Sequence, residues 1–416
     1  MKAGFAMQRV LTPARTFVQH PELLVILGCN VLLGLAYSFA VPFFSLFGTI
    51  EVGMSPAQFG VFMTVTALAA IVVSTAIARW SDTHWSRRTV LIVGCVGGAL
   101  GYLGYGYVRS FTGLMLVGCF VVSISSITFS QLFAHAREQL DRSGLPAADA
   151  PLYVNVFRLF FALAWTVGPA AASWVLVLFS YRGLFLTTAS LFVVLLAIVL
   201  RFIPHLPPPQ ARRTGPRPSL FRTLQRRDLQ AFAIGFVLIN SASTMAAMSL
   251  PLLIIQTLHG TEQQIGIAFS LAPIFEIPLM FYFGLLASRG DQARIIRLGA
   301  AIALAYYGLL AAVRAPWNVY PLQLLAAAVT AVNSGVAITF FQNYLPGQHG
   351  SATNLYMTVN RIGATAGYLL FGLLASTVGY RGVFVVCSGL ALVTALLFSA
   401  RRSSTGGALA AEPKAA

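Results

Sequence analysis

The chain has 416 residues, 57% of them hydrophobic and only 9% charged. A soluble domain carries about 25% charged residues, so this composition excludes a water-facing globular surface and makes lipid the solvent. The net charge of +16 would suit nucleic acid in a soluble protein. Here the basic residues fall between apolar blocks and read as a topology signal, with no nucleic-acid partner.

From the N-terminus, a basic segment (Met1 to Pro21) precedes an apolar run that begins at Leu23. That run continues for about 25 residues, too long for the apolar core of a signal peptide, and reads as a first spanning helix. A span needs about 20 apolar residues. The first half offers candidates near 23–49, 57–80, 89–108, 112–134, 152–179 and 183–203. His205 to Asp228, with Pro207–Pro209 and Arg212, Arg213, Arg217, Arg222, Arg226 and Arg227, is the one long polar stretch and reads as a linker. Six more spans follow near 229–257, 262–288, 293–314, 317–341, 352–378 and 383–400. The expectation is an all-α integral membrane protein of twelve transmembrane helices in two six-helix repeats. Its divisions are a bundle over 1–204, a cytoplasmic linker over 205–228, a second bundle over 229–400 and a cytoplasmic tail over 401–416.

Orientation follows from Lys and Arg. Lys2, Arg9, Arg15, Arg79, Arg87, Arg88, Arg137, Arg142, Arg201, the linker arginines, Arg289, Arg294, Arg297, Arg401, Arg402 and Lys414 share one side; Arg109, Arg182, Arg314 and Arg381 face the other. The positive-inside rule puts both termini and the linker in the cytoplasm.

The halves resemble each other. Asp82 after the second span and Asp291 after the eighth each precede basic residues. Val154-Asn155-Val156-Phe157-Arg158 opens the fifth span as Thr358-Val359-Asn360-Arg361 opens the eleventh, and Phe129-Ser130-Gln131 closes the fourth as Phe340-Phe341-Gln342 closes the tenth. Three matches in one order indicate a duplicated six-span unit, the parallel repeat of a secondary transporter.

Glu276 is the only acidic residue inside a long apolar segment; the matching stretch of the second span, around Ala67, has none. A charge at the centre of a membrane helix costs roughly 2.5–3.5 kcal/mol and marks an ion, proton or substrate path by default. Pro273 and Pro278 bracket it and free backbone carbonyls where a helix lines a cavity. Arg158 and Arg361 lie about two turns inside their spans, in matching positions. Burial favours a neutral carboxyl and a nearby arginine favours a charged one. A carboxyl alternating between those surroundings binds and releases a proton. Two roles for Glu276 stand side by side: the proton site, and a static ion pair with Arg158 or Arg361. The arginines read as gating or charge-balancing groups, with anion binding as the other possibility.

Neutral polar groups share helical faces: Ser123, Ser126 and Ser130; Asn240, Ser243 and Thr244; Thr353, Tyr356 and Asn360. Asn30, Tyr37, Asn155 and Asn333 add separate amide or hydroxyl groups. Amides, hydroxyls and an aromatic face suit a neutral polyol, which makes Asn30, Tyr37, Asn155, Asn240, Tyr356 and Asn360 substrate-binding candidates. For the small hydroxyls, interhelical hydrogen bonding explains as much. Gly94, Gly97, Gly98, Gly101 and Gly104 read as close helix packing, and no Walker lysine follows them. Cys29, Cys95, Cys119 and Cys387 lie in apolar segments, and the six histidines are scattered. No cofactor or metal is expected.

Ala78-Arg79-Trp80-Ser81-Asp82-Thr83-His84-Trp85-Ser86-Arg87-Arg88 resembles the cytoplasmic loop of the major facilitator superfamily, Gly-x-x-x-Asp-Arg/Lys-x-Gly-Arg/Lys-Arg/Lys. Asp82, Arg87 and Arg88 match; Ala78, Thr83, Trp85 and Ser86 depart from it. The resemblance implies that Asp82 and Arg88 stabilise one state of a rocking cycle by charge pairing. Gly168-Pro169 resembles the Gly-Pro of the superfamily's antiporter motif, without its preceding glycines. Gln131-Leu132-Phe133-Ala134-His135-Ala136-Arg137-Glu138, Arg158, Leu163-Ala164-Trp165, Glu276-Ile277-Pro278, Phe341-Gln342 and Pro346-Gly347 resemble bacterial sugar efflux transporters.

The resemblance implies proton-driven export of sugars or glycosides, with Glu276 in the family's acidic position of the eighth span; the expected setting is a monomer in the bacterial inner membrane, with Glu276 as the proton-coupling candidate. The partners are then a sugar-like solute, protons and the lipid bilayer. Two other transport readings remain: export of amphipathic drugs through a cavity lined by Phe39, Phe43, Phe160 and Phe275, and organic-anion exchange on Arg158 and Arg361. An enzyme or receptor finds no nucleophile–base pair and no large soluble domain to support it.

Overall fold

The computed structural model describes residues 20–143, 150–204, 227–344 and 349–400. The 401–416 tail and all but the last two residues of the 205–228 linker lie outside the described residues. Among those described, ten helices are long and apolar enough to cross a membrane. Two of them contain a single non-helical residue, Ser180 (φ 61°) and Gly379 (φ 68°), and are therefore bent pairs. Twelve spans result. Lipid offers no partner for backbone N–H and C=O groups, so every spanning segment closes its own hydrogen bonds as a helix.

In chain order the helices are α1 (Pro21–Glu51), α2 (Pro56–His84), α3 (Arg87–Tyr107), α4 (111–142), and α5 and α6 (150–179 and 181–202). The second set is α7 (227–257), α8 (Glu262–Arg289), α9 (Gln292–Ala312), α10 (Pro316–Tyr344), and α11 and α12 (349–378 and 380–400). Two of these helices exceed their expected ends by the most. α4 reaches Arg142 instead of 134 because its last turns are held by charge: Glu138 accepts from Arg142 one turn on and from Arg87 of α3. α2 reaches His84 instead of 80, so most of the loop resembling the superfamily's motif is helical.

Local devices recur at matching places. α1 and α7 both end in a π-helical turn, Phe47–Glu51 and Leu253–Thr257. A left-handed residue follows each, Gly53 (φ 75°) and His259 (φ 53°). The next helix then opens on a side-chain cap. Ser55 N–H donates to Gln58 Oε1 at 3.0 Å and Gln58 N–H returns to Ser55 Oγ at 3.2 Å; Thr261 N–H donates to Gln264 Oε1 at 3.0 Å. These bonds satisfy N-terminal donors that a helix start leaves open. The α5–α6 and α11–α12 corners share Tyr-Arg-Gly-x-Phe, at 181–185 and 380–384. Arg182 covers the Tyr107 ring at the end of α3, and Arg381 donates to the Ala311 carbonyl at the end of α9.

The chain divides into two compact units. One spans residues 1–54, 62–213 and 261–273; the other spans 55–61, 214–260 and 274–416. In the first, α1 lies on α5, where a Cβ at Gly34 would come within 2.8 Å of Ala164 and one at Gly168 would strike Ser38. The α3 glycines receive α4 side chains: Gly97 faces Ile124, Gly101 faces Val122 and Gly104 faces Val117. They are packing positions, as expected. In the second unit the same crossing recurs between α7 and α11, with Gly363 against Asn240 and Gly367 against Thr244 and Ser241.

These contacts correct the register of the repeat. Gly168 answers Gly367, and the bend at Ser180 answers that at Gly379. Arg158 lies 22 residues before its bend and Arg361 lies 18 before its own. The two arginines therefore differ by one turn in depth, ~6 Å, and are not positional equivalents. A further correction concerns Asp291. It caps α9, accepting from Ala293 N–H at 2.9 Å, which is the place of Ser86 at the start of α3. Asp82 lies inside α2. The α1–α2 and α7–α8 corners also align Glu276 with Ala70, one turn beyond Ala67.

Candidate transport site

Glu276 sits near the middle of α8, half-buried, with Pro273 buried on one side and Pro278 exposed on the other. The helix runs unbroken through both prolines. Each lacks an N–H, so the carbonyls of Phe269 and Ile274 lose their donors four residues on. Among the described residues the Glu276 carboxyl has no hydrogen bond and no ion pair. Arg361, in the same unit, is exposed and likewise unpaired among them, as is Arg158 in the first unit.

The neutral candidates divide by what their polar atoms already do. Asn30 is 1% exposed; its Nδ2 donates to the Phe157 carbonyl at 2.6 Å, next to Arg158, and its Oδ1 is buried with no partner among the described residues. It joins α1 to α5. Tyr37 Oη donates to the Ser125 carbonyl at 3.1 Å, joining α1 to α4, and Tyr356 Oη donates to the Asn333 carbonyl at 2.6 Å, joining α11 to α10. Asn240 spends Nδ2 on its own helix, at Phe236, 2.7 Å away. Asn360 is half-buried, and its amide has no hydrogen bond among the described residues. The side chains of Asn155 and Asp82 lie outside the described residues. Ser123, Ser126 and Ser130 all donate back along α4, to Cys119, Ser123 and Ile127. For these serines, local bonding within the bundle accounts for the hydroxyls.

Arg87 Nε donates to Glu138 Oε2 at 2.8 Å, and Arg88 Nη2 donates to the Leu200 carbonyl in the last turn of α6 at 2.6 Å. A guanidinium at a helix C-terminus meets carbonyls without intrahelical donors and the negative end of the macrodipole. Adjacent arginines thus fasten the start of α3 to α4 and α6.

Sequence reasoning gave no role to three further features. Trp165 lies seven residues beyond Arg158 on the same face of α5, with its indole N–H buried and unpartnered among the described residues. His135, one turn before Glu138, is 2% exposed with Nδ1 unpartnered among them. The third is a pair of crossings. A Cβ at Gly60 of α2 would lie 2.5 Å from Gly372 and 2.9 Å from the Tyr368 carbonyl, both on α11. One at Gly266 of α8 would lie 2.7 Å from the Pro169 carbonyl and from Ser173, both on α5. Ser270, one turn further along α8, accepts from Ala170 N–H at 3.1 Å. The shared pattern Ser/Thr-x-x-Gln-apolar-Gly at 55–60 and 261–266 is the signal that would have found this pair.

Known proteins supply the context. Residues 26–241 and 232–415 each match the Major Facilitator Superfamily. A putative sugar efflux transporter of Deinococcus radiodurans is 35% identical over 89% of this chain and 96% of its own length. Sugar efflux transporter A of Dickeya chrysanthemi is 31% identical over 90% and 95%. Among solved structures, the nucleoside transporter NupG superposes with a TM-score of 0.76 at 15% identity, covering 91% of this chain and 98% of that one. A bacterial homologue of the human lysosomal transporter Spinster gives 0.74 at 13%, covering 91% and 95%. At those identities the two structures speak for the fold only. The family match and the sequence relatives show that this chain is a multi-pass membrane transporter, not an enzyme, and belongs to the sugar efflux transporters of the major facilitator superfamily.

Proposed function

We propose that the protein exports sugars or glycosides in exchange for protons by alternating access, with residues 1–204 and 229–400 as its two repeats. It works as a monomer in the bacterial inner membrane, with both termini and the linker in the cytoplasm. The observation that carries the coupling is Glu276: the only carboxylate in the interior of an apolar span, and one without an ion partner among the described residues. A carboxyl in permanent structural service is paired and hydrogen-bonded. One left free can trade its proton as its surroundings change. Arg158 and Arg361, exposed and unpaired among the described residues, are the cations available to bias its charge, and Asp82 with Arg88 serves one state of the cycle.

The relatives named as sugar efflux transporters support a sugar as solute. Trp165 supports it chemically, since an indole offers an apolar ring face and an N–H without a partner, both of which a sugar ring and its hydroxyls can use. Tyr37, Tyr356, Asn30, Asn155, Asn240 and Asn360 are the polar groups nearest in kind to that task. Asn360 has the freest amide among those described.

The test is transport in proteoliposomes. Glu276→Gln is expected to abolish efflux driven by a pH gradient while leaving solute counterflow within about threefold of wild type, because exchange needs no net proton release. Undiminished gradient-driven efflux in that variant overturns the coupling role. A second reading, anion exchange, draws on the two exposed arginines. It requires that Arg158→Gln with Arg361→Gln eliminate substrate binding, read as loss of tryptophan fluorescence change on titration.

A further inference from the structure

We propose that His135 is a cytoplasmic pH latch, separate from Glu276, that acts on the tie between α3 and α4. Both oxygens of Glu138 are taken, Oε2 by Arg87 of α3 at 2.8 Å and Oε1 by Arg142 at 2.7 Å. The Glu138 side chain is 21% exposed, with Arg87 at 29% and Arg142 at 46%, so the carboxylate is part-buried and its cations reach water. His135 lies on the same helix, three residues before Glu138 and therefore on its face. It is 2% exposed, with Nδ1 unpartnered among the described residues. A buried nitrogen of this kind is a group that the packing leaves unsatisfied. A proton on Nδ1 would turn it from an acceptor into a donor.

The charged groups acting on His135 are Glu138 and Arg142 of its own helix and Arg87 of α3. Beyond it, Glu22 and His20 at the start of α1 line a cavity of about 320 Å³ with Gln139, Arg142 and Ser143. Arg137 is exposed on another flank of α4, and Arg158 is the basic residue described on α5, which packs against α4. With His135 neutral, two guanidiniums and one carboxylate give the cluster one net positive charge. A proton on His135 makes that two and adds a third donor competing for two oxygens already occupied. Arg87 is the partner whose loss matters, because Arg142 is four residues away on the same helix and returns to water at 46% side-chain exposure. Acidification of the cytoplasmic side therefore loosens the start of α3 from the end of α4. The tie is whole when His135 is neutral and weakened when it is charged.

Burial and the neighbouring guanidiniums push the His135 pKa below the ordinary histidine value, so the decisive measurement is sugar counterflow with equal pH on both sides, scanned downward over about pH 7.5 to 4.5. Exchange moves no net proton, so the result is distinguishable from failure of the Glu276 reading. Wild type is expected to change its exchange rate by about fivefold across the window, the scale of one part-exposed ion pair. His135→Gln is expected to stay flat within about twofold. Glu138→Gln, which leaves the imidazole in place but removes what it competes for, is expected to be flat as well. The wild-type profile should survive in Glu276→Gln. A pH step that persists in His135→Gln or in Glu138→Gln, or one that vanishes in Glu276→Gln, overturns the proposal. So does a wild-type profile without a step. If His135→Gln fails to fold, Glu138→Gln alone decides.

Discussion

The first six helices and the last six use the same joints and carry different chemistry. Each set turns from its first helix to its second through a π-helical turn, a left-handed residue and a hydroxyl–glutamine cap, and each bends its last pair at one positive-φ residue followed by Tyr-Arg-Gly. Each places a glycine six residues into the capped segment, where another helix's backbone passes too close for a side chain. The carboxylate at Glu276 has only Ala70 opposite it in the first set, and the two arginines sit a turn apart. Backbone geometry at a helix crossing tolerates almost no substitution, whereas a position outside such a crossing can change more freely. The comparison therefore separates scaffold from function: what repeats holds the helices, and what differs is where coupling is to be sought.

The largest expected effect follows from the difference. Glu276→Ala with Ala70→Glu should transport no better under a pH gradient than Glu276→Ala alone. Restored gradient-driven efflux would mean that the carboxylate works equally in either set. Next come the crossings. Gly60→Leu and Gly266→Leu should each destabilise by about 1–3 kcal/mol through overpacking and reduce transport, to similar degrees. Thermal unfolding in detergent beside uptake assays would reveal a large disparity, which would break the equivalence of the two joints.

A smaller effect separates the bends. Gly379→Ala should lower stability by about 1 kcal/mol, because a Cβ is disfavoured at positive φ. Ser180→Gly, at a matching φ that already carries this cost, should be neutral or gain a few tenths. If both glycine and non-glycine variants behave alike at the two bends, the strain argument fails. The smallest effect is the caps. Ser55→Ala and Thr261→Ala should each cost about 0.5–1 kcal/mol, measured by hydrogen exchange of the first turns of α2 and α8.

Much of this was legible in the chain. Apolar runs of about 20 residues can be only helices in lipid, so the number of spans and most of their limits followed from hydropathy. The limits missed by the most were those at α2 and α4; the extra turns of α4 carry charged residues that find partners only after folding. The repeat was visible, yet its register was off by one turn at α5 and α11. Matching Asn-x-x-Arg with Asn-Arg rested on conspicuous polar residues, of which the two arginines are exposed and pack nothing, while the packing residues that fix the register, Gly168 with Gly367 and Ala164 with Gly363, are small and unremarkable in sequence.

At the site, the unusual residue types could be picked out because a charge in an apolar run is conspicuous whatever surrounds it. Glu276, Arg158 and Arg361 were identified in this way. Amides and hydroxyls give no such contrast. Only the fold decides that Asn30, Tyr37, Asn240 and Tyr356 already donate to backbone carbonyls, that the Trp165 N–H has no partner among the described residues, and that His135 is buried beside a saturated carboxylate. Sequence by itself determined the solvent, the secondary structure, the duplication and the lone carboxylate, since each depends on a property carried along the chain. Tertiary structure decided the register, the crossings and the state of every polar atom, because a hydrogen bond between distant helices belongs to neither segment until they meet.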